Sequence, residues 1–206
     1  MDRLGVYNDA LRICGERKLA SLTEAVEPRR LLDAAWDDNF ADTWLEEADW
    51  KFATRASKLG NDESIDPPFG VKFAYNHPED MARLSGIYQD EYMQVPLRSY
   101  RTEGKFWFTE YSVEIYITYV SNDASFGGDI GLWPASFGRY VAAFLANEIA
   151  PRLKNDVNLE KIEKVLAKRK LSAESKDAIK NPSRELPKGT WTRSRLTGSK
   201  RDGSFR

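Results

Sequence analysis

Phe106-Trp-Phe-Thr-Glu-Tyr-Ser-Val-Glu-Ile-Tyr-Ile-Thr-Tyr-Val120 is the stretch whose reading decides the fold. It is aromatic and β-branched, and Val113, Ile115, Ile117 and Tyr119 alternate with Glu114, Tyr116 and Thr118. Alternation with a period of two is the signature of a strand with one buried face, so this stretch predicts a strand or a hairpin pair, with a turn near Glu103-Gly104. Upstream, Val71 to Tyr75 and Met81 to Tyr88 are the pieces that would complete a small antiparallel sheet, and Asp66-Pro67-Pro68 marks an irregular segment between them and the N-terminal part. The β-rich region therefore runs from about residue 50 to about residue 120.

On both sides the period changes to that of a helix. Leu4, Tyr7, Leu11 and Cys14 recur at spacings of three and four, with Val6, Ala10 and Ile13 widening the stripe, which predicts a helix over 3–16 stopped near Gly15. Pro28 suits a first helical turn, and Leu32, Trp36, Phe40, Trp44 and Ala48 then recur every four residues, which predicts one long helix over 28–48. Beyond the glycine-rich connection Phe126-Gly-Gly-Asp-Ile-Gly131, Pro134 opens a helix over 135–153 whose apolar face carries Phe137, Tyr140, Val141, Phe144, Leu145, Ile149 and Leu153. Asn158 is a suitable cap for a last helix over 158–180, a charged one with a thin stripe of Leu159, Ile162, Val165 or Leu166. A sheet thus interrupts a helical protein.

The chain has 206 residues, enough for one domain with appendages, and six Trp, nine Tyr and ten Phe to anchor cores and interfaces. Its formal net charge of −1 gives no bulk attraction to nucleic acid or to a membrane surface. The charge is unevenly spread. From Pro182 onward seven basic residues stand against Glu185 and Asp202, leaving 24 basic and 30 acidic residues before them. An acidic body of residues 1–181 carries a basic tail of residues 182–206. No run approaches the roughly 18 apolar residues of a membrane span, and Met1 leads into an amphipathic stretch rather than a signal peptide, so a soluble protein made in a cytoplasm is expected.

The residue types that carry chemistry are sparse. The single cysteine, Cys14, lies in a helix stripe and reads as core; the single histidine, His77, sits between Asn76 and Pro78 and reads as a turn residue. One thiol and one imidazole build neither a disulfide nor a tetrahedral zinc site. The glycine-rich connection lacks the lysine and the spacing of a phosphate loop. Asp33, Asp37, Asp38, Asp42, Glu46 and Glu47 line one face of the second helix, and a solvated surface is preferred there over a cation shared by Asp38 and Asp42. Glu148 is the lone charge on its helix stripe and reads as a boundary residue rather than a buried acid. Neither a catalytic residue, a cofactor nor a metal is expected, although 32 acids leave a two-carboxylate cell-wall hydrolase as an alternative.

The last stretch has too little apolar surface to fold alone, so disorder of the free tail is the expectation. It nevertheless carries Leu186, Trp191, Leu196 and Phe205 among Arg184, Arg193, Arg195 and Arg201, spaced anchors that suit docking into a partner's groove. Extended, it would reach on the order of 80 Å. Arginines with a stackable Trp191 also suit DNA, which makes a DNA-binding accessory protein the other alternative.

Several segments, in order, resemble the head-to-tail adaptor family of short-tailed phages, the tail tubular protein A or gatekeeper and tail accessory ring proteins. Tyr7-Asn-Asp-Ala-Leu-Arg-Ile-Cys-Gly-Glu-Arg-Lys-Leu-Ala-Ser-Leu22 is similar to that family's opening helix and turn; the second helix leads into Ala48-Asp-Trp-Lys-Phe-Ala53, similar to its entry into the sheet; and Leu132-Trp-Pro-Ala-Ser-Phe-Gly-Arg-Tyr-Val-Ala-Ala-Phe-Leu-Ala-Asn-Glu-Ile-Ala150 resembles its later helix. The coverage is roughly residues 5 to 195. The middle sheet and the tail carry no diagnostic match. The resemblance implies a mainly α protein with a β insertion (α+β), a helical bundle with a small antiparallel sheet and an extended C-terminal tail. It also implies assembly as a ring of twelve copies under the portal, with no cofactor. Residues 182–206 would grip the portal protein, the other side of the ring would receive the tail tube or nozzle, and DNA would pass non-specifically through the lumen. In such a ring the exposed acids Asp38, Asp42 and Glu46 are a candidate inter-subunit face.

Overall fold

The computed structural model describes residues 1–40, 42–110, 114–153 and 158–180. The N-terminal helix α1 (Arg3–Cys14) is opened by Asp2, whose carboxylate accepts from the Gly5 amide at 2.9 Å, and closed at Gly15, whose amide returns to Arg12 O. It buries Val6, Tyr7, Ala10, Leu11 and Cys14, the stripe expected from the spacing.

The expected single helix over 28–48 is two helices. α2 (Glu27–Asn39), with Pro28 in its first turn, ends where Phe40 turns extended (φ −57°, ψ 128°), and α3 (Asp42–Glu46) follows. The apolar spacing runs on across the break because Trp36 and Trp44 still meet, with ring centroids 5.1 Å apart, while Phe40 stacks on Trp36 at 5.3 Å from the surface. Packing of large rings, worth more than the few backbone bonds lost at the corner, sets the path here.

A single 3₁₀ turn (Lys51–Ala53) leads into the β region: β1 (Thr54–Gly60), β2 (Phe73–Asn76), β3 (Met81–Tyr88), β4 (Arg101–Glu103), β5 (Phe106–Thr109) and β6 (Glu114–Ser121). The expected one small sheet is two antiparallel sheets of three strands, ordered β1-β6-β3 and β2-β5-β4. The deciding stretch is accordingly neither one strand nor a hairpin with itself: β5 and β6 join different sheets. Gly104, at φ 59°, turns the chain between β4 and β5, as expected. Ile115, Ile117 and Tyr119 of β6 face a core with Tyr75, Ile87, Leu97 and Trp107, which binds the two sheets together.

The first and last strands of this insertion pair with each other, Thr54 opposite Val120, so the lobe leaves and rejoins the helical body at one place. The return path is tight. A Cβ on Gly127 would lie 2.5 Å from Ser121 O and 2.6 Å from the Leu45 side chain, and one on Gly128 only 2.2 Å from Asn122 O. No side chain fits there.

α4 (Ala135–Ile149) is the central helix. It buries Phe137, Tyr140, Val141, Leu145, Ala146 and Ile149, with a 3₁₀ turn (Ala150–Arg152) ending the span expected to reach 153. α1, α2 and α5 (Leu159–Ala178) all pack against it. α5 is capped by Asn158, whose side chain accepts from the Lys161 amide, and buries only Ile162, Ala173 and Asp177; of the stripe expected, Ile162 is buried, Val165 and Leu166 are half-buried and Leu159 is exposed. The whole is a mixed α+β fold with a helical core and a β core.

Candidate functional site

The thin stripe of α5 leaves one long edge of the helix to charge. Lys168, Arg169 and Lys176 recur on that edge and face Arg139 of α4 and Arg12 of α1 across a groove of about 530 Å³. The groove continues past Arg12 and Arg139 into a second hollow of about 450 Å³ that Lys18 also lines. Asp9 is the acid here. It accepts from Arg12 Nε at 3.1 Å and from Arg169 Nη1 at 2.7 Å. Burial works against its charge, yet these guanidinium bonds hold its carboxyl below the usual carboxylate range. Arg139, Lys168 and Lys176 are exposed and have no acid partner among the described residues. Spacing on α5 alone carried this signal in the sequence; that α1 and α4 would add arginines to the same groove was not legible.

The acidic row of α2 and α3 is less uniform than the solvated face expected. Asp33 is half-buried and fully engaged: it accepts from Arg3 at 2.9 Å and from the Tyr7 hydroxyl at 2.9 Å, and pairs with Arg29 one turn before it. Asp37 lies 3.5 Å from Arg3, and Glu47 pairs with Lys170 of α5. What remains is the expected candidate face. The carboxylates of Asp38 and Glu46 are exposed and make no ion pair among the described residues, with Arg83 donating to the Glu46 backbone carbonyl at 2.7 Å, and the Asp42 carboxylate accepts from the neutral amide of Asn122 at 2.6 Å. The break after α2 sets Asp38 and Asp42 on separate helices. Among the described residues no group of three or more His, Cys, Asp and Glu side chains is placed to hold a metal ion.

A third polar cluster was missed from the sequence. Asp80, just before β3, accepts from Arg55 of β1 at 2.9 Å, from the Tyr119 hydroxyl of β6 at 3.1 Å and from the Ser121 hydroxyl at 2.6 Å. The Arg55 guanidinium also lies over the Phe126 ring, 5.3 Å from its centroid. Burial opposes the charge on Asp80, but the Ser121, Arg55 and Tyr119 donors bring its carboxyl below the usual range, and burial together with Asp80 pushes Tyr119 up to about 12. A carboxylate held charged by three donors is a clamp between strands, not a proton carrier near neutrality. No local pattern announces it, because its four members come from three separate stretches of the chain.

Cys14 and His77 do not meet. The thiol sits in the helical core against Ala146 O at 3.6 Å, and burial pushes it up to about 11 with Glu16 adding to the effect. His77 lies beside the β core with its ring 4.0 Å from that of Trp107, and burial lowers its basicity. Cys14 serves the core as expected, whereas His77, expected in a turn, packs half-buried on Trp107 after β2. Glu148 is exposed. No helix among the described residues is long and apolar enough to cross a membrane. The docking residues expected in the tail, Arg184, Leu186, Trp191, Arg193, Arg195, Leu196, Arg201 and Phe205, lie outside the described residues. No protein-family model matches the chain, and no curated protein matches it.

Proposed function

We propose that this protein is a structural ring subunit of a short-tailed phage, the adaptor between the portal and the tail tube or nozzle, with DNA passing through the lumen. The observation that carries the reading is where the resembling segments lie. Leu11, Cys14 and Leu19 of the first, Trp50 and Ala53 of the second, and Trp133, Phe137, Tyr140, Val141, Leu145 and Ala146 of the third belong to one buried cluster. Trp50 meets Phe137 with centroids 4.8 Å apart, and Phe137 meets Trp133 at 5.0 Å. Segments far apart in sequence thus build one body, as an adaptor body would require, and the β lobe is inserted in that body at a single crossing point. A rigid helical wedge with a lobe suits a ring, where each copy meets two neighbours through different faces.

The test is electron microscopy of purified portal rings mixed with the full-length chain. A collar of added density on the portal is the expected result. Portal particles that remain bare at every ratio of the two proteins overturn the reading. Asp33, Asp80 and Asp9 each hold two or more elements together, and the more buried Asp177 accepts from the Lys51 amide, so these acids have structural roles in the fold.

A further inference from the structure

We propose that the basic groove between α1, α4 and α5 is the docking site for the acidic edge of α2 and α3 of a second copy of this chain. The proposal rests on the ring reading and names the contact that would close the ring. Arg139, Lys168 and Lys176 are the groove cations without an acid, and Asp38, Asp42 and Glu46 are the edge carboxylates without a cation. These unpaired groups are opposite in sign, in a chain whose formal net charge is only −1. The groove already displays the chemistry required, since Arg12 and Arg169 together hold the carboxylate of Asp9.

One copy cannot bring the two surfaces together. Lys168 and Lys170 stand about 200° apart around α5. Lys168 lines the groove, whereas Lys170 reaches across the other edge of the helix to Glu47, at the end of the acidic row. α5 therefore separates the surfaces. A groove on one side and a matching edge beyond the other is a heterologous pair, which forms a closed ring when its rotation closes and a filament when it does not. Nucleic acid is the less suited occupant, because two of the five groove cations already direct their guanidinium donors to Asp9.

A charge swap in the full-length chain tests this. One variant carries Arg139→Glu and Lys168→Glu in the groove; the other carries Asp38→Lys and Glu46→Lys on the edge. Association is measured at low salt by sedimentation of the free chain and by mass of particles formed on portal rings, with circular dichroism as the check on folding. Each variant alone places like charges at every contact, and its association should fall by on the order of tenfold or more. An equimolar mixture pairs every reversed groove with a reversed edge and every native groove with a native edge, so association should return, with the two variants in equal amounts. Should a variant unfold, the neutral pair Arg139→Gln and Lys168→Gln replaces it, with a smaller loss expected.

Three results overturn the proposal: folded variants that associate like the native chain, a mixture that does not recover, or a native chain that stays monomeric both free and on portal rings. Salt-sensitive binding of duplex DNA that is lost on groove reversal, with association untouched, would assign the groove to nucleic acid instead. The ring reading fails separately. Collared portals with an ineffective swap remove only this proposal, and bare portals with a swap that rescues free copies remove only the adaptor role.

Discussion

Asp80 shows how much a single residue can hold when donors converge on it. Arg55, Tyr119 and Ser121 tie β1 and β6 to the loop before β3 through one carboxylate. Asp80→Asn keeps the shape but turns two acceptors into one and removes the charge, so the β lobe should lose about 2 kcal/mol in urea unfolding. The effect has a pH signature. Because the folded protein holds Asp80 and Asp9 below their ordinary range, the unfolded chain binds more protons as the pH falls toward about 4. Their stabilisation is complete above that value and disappears as pH drops through the folded values, and in Asp80→Asn the acid limb of stability against pH should be shallower. His77 acts in a higher window. Burial lowers its basicity, a backbone hydrogen bond with Phe106 only partly opposing, so the fold favours the neutral ring and stability should decline as pH falls through about 6.5. Urea titrations of His77→Asn at several pH values should show that decline reduced; an unchanged slope would exclude the ring as its source.

At the scale of elements, α5 is the piece with least to hold it. Its buried contacts are Ile162, Ala173 and Asp177, and the last is a carboxylate. Asp177 caps the 3₁₀ turn Lys51–Ala53 by accepting from the Lys51 amide. Asp177→Ala leaves that amide unpaired at a buried junction, with an expected cost of about 1 to 2 kcal/mol. Hydrogen exchange should speed up at Lys51 and over the last turns of α5, while the β core stays protected; uniform acceleration everywhere would mean the contact is global rather than a local clasp. The elements legible from sequence are those whose periodicity is also their packing. β6, buried at alternate positions from Ile115 to Tyr119, and the helix after Pro134 are of this kind. Two were not legible. β1, Thr-Arg-Ala-Ser-Lys-Leu-Gly, is an edge strand with a half-exposed pattern and little apolar alternation, and only its pairing with β6 makes it a strand. The break at Phe40 hides inside an unbroken four-residue spacing, because Trp36 and Trp44 serve one core from two helices. The candidate surfaces follow the same rule. The acidic row could be read from the sequence, but which of its acids are already neutralised depends on Arg3 and Lys170, remote in sequence, as well as on Arg29 one turn away.

The whole molecule divides its tasks along the chain. Core-forming aromatics occupy α1 through α4, and the charges proposed to pair between copies lie on either side of α5, while residues 182–206 add a net positive segment at one end. If the body supplies the neighbour contacts and the tail supplies the grip on the portal, the two should be separable. Deleting 182–206 should leave the thermal unfolding of the body unchanged within a few tenths of a kcal/mol, since the segment carries too little apolar surface to fold alone. The same deletion should abolish binding to portal rings. Trp191→Ala is the finer probe, because a large ring filling a partner's pocket contributes far more than its neighbours: a loss of about 2 kcal/mol or more per subunit is expected. Ordering an extended segment opposes binding by roughly 1 to 2 kcal/mol per residue, so a few anchors must supply most of the compensating energy, and removing one should be felt. Calorimetric titration of portal rings with the native and Trp191→Ala chains measures this directly. A change within a few tenths would place the grip elsewhere on the body, and binding by the truncated chain at native strength would show that the tail is not the grip at all.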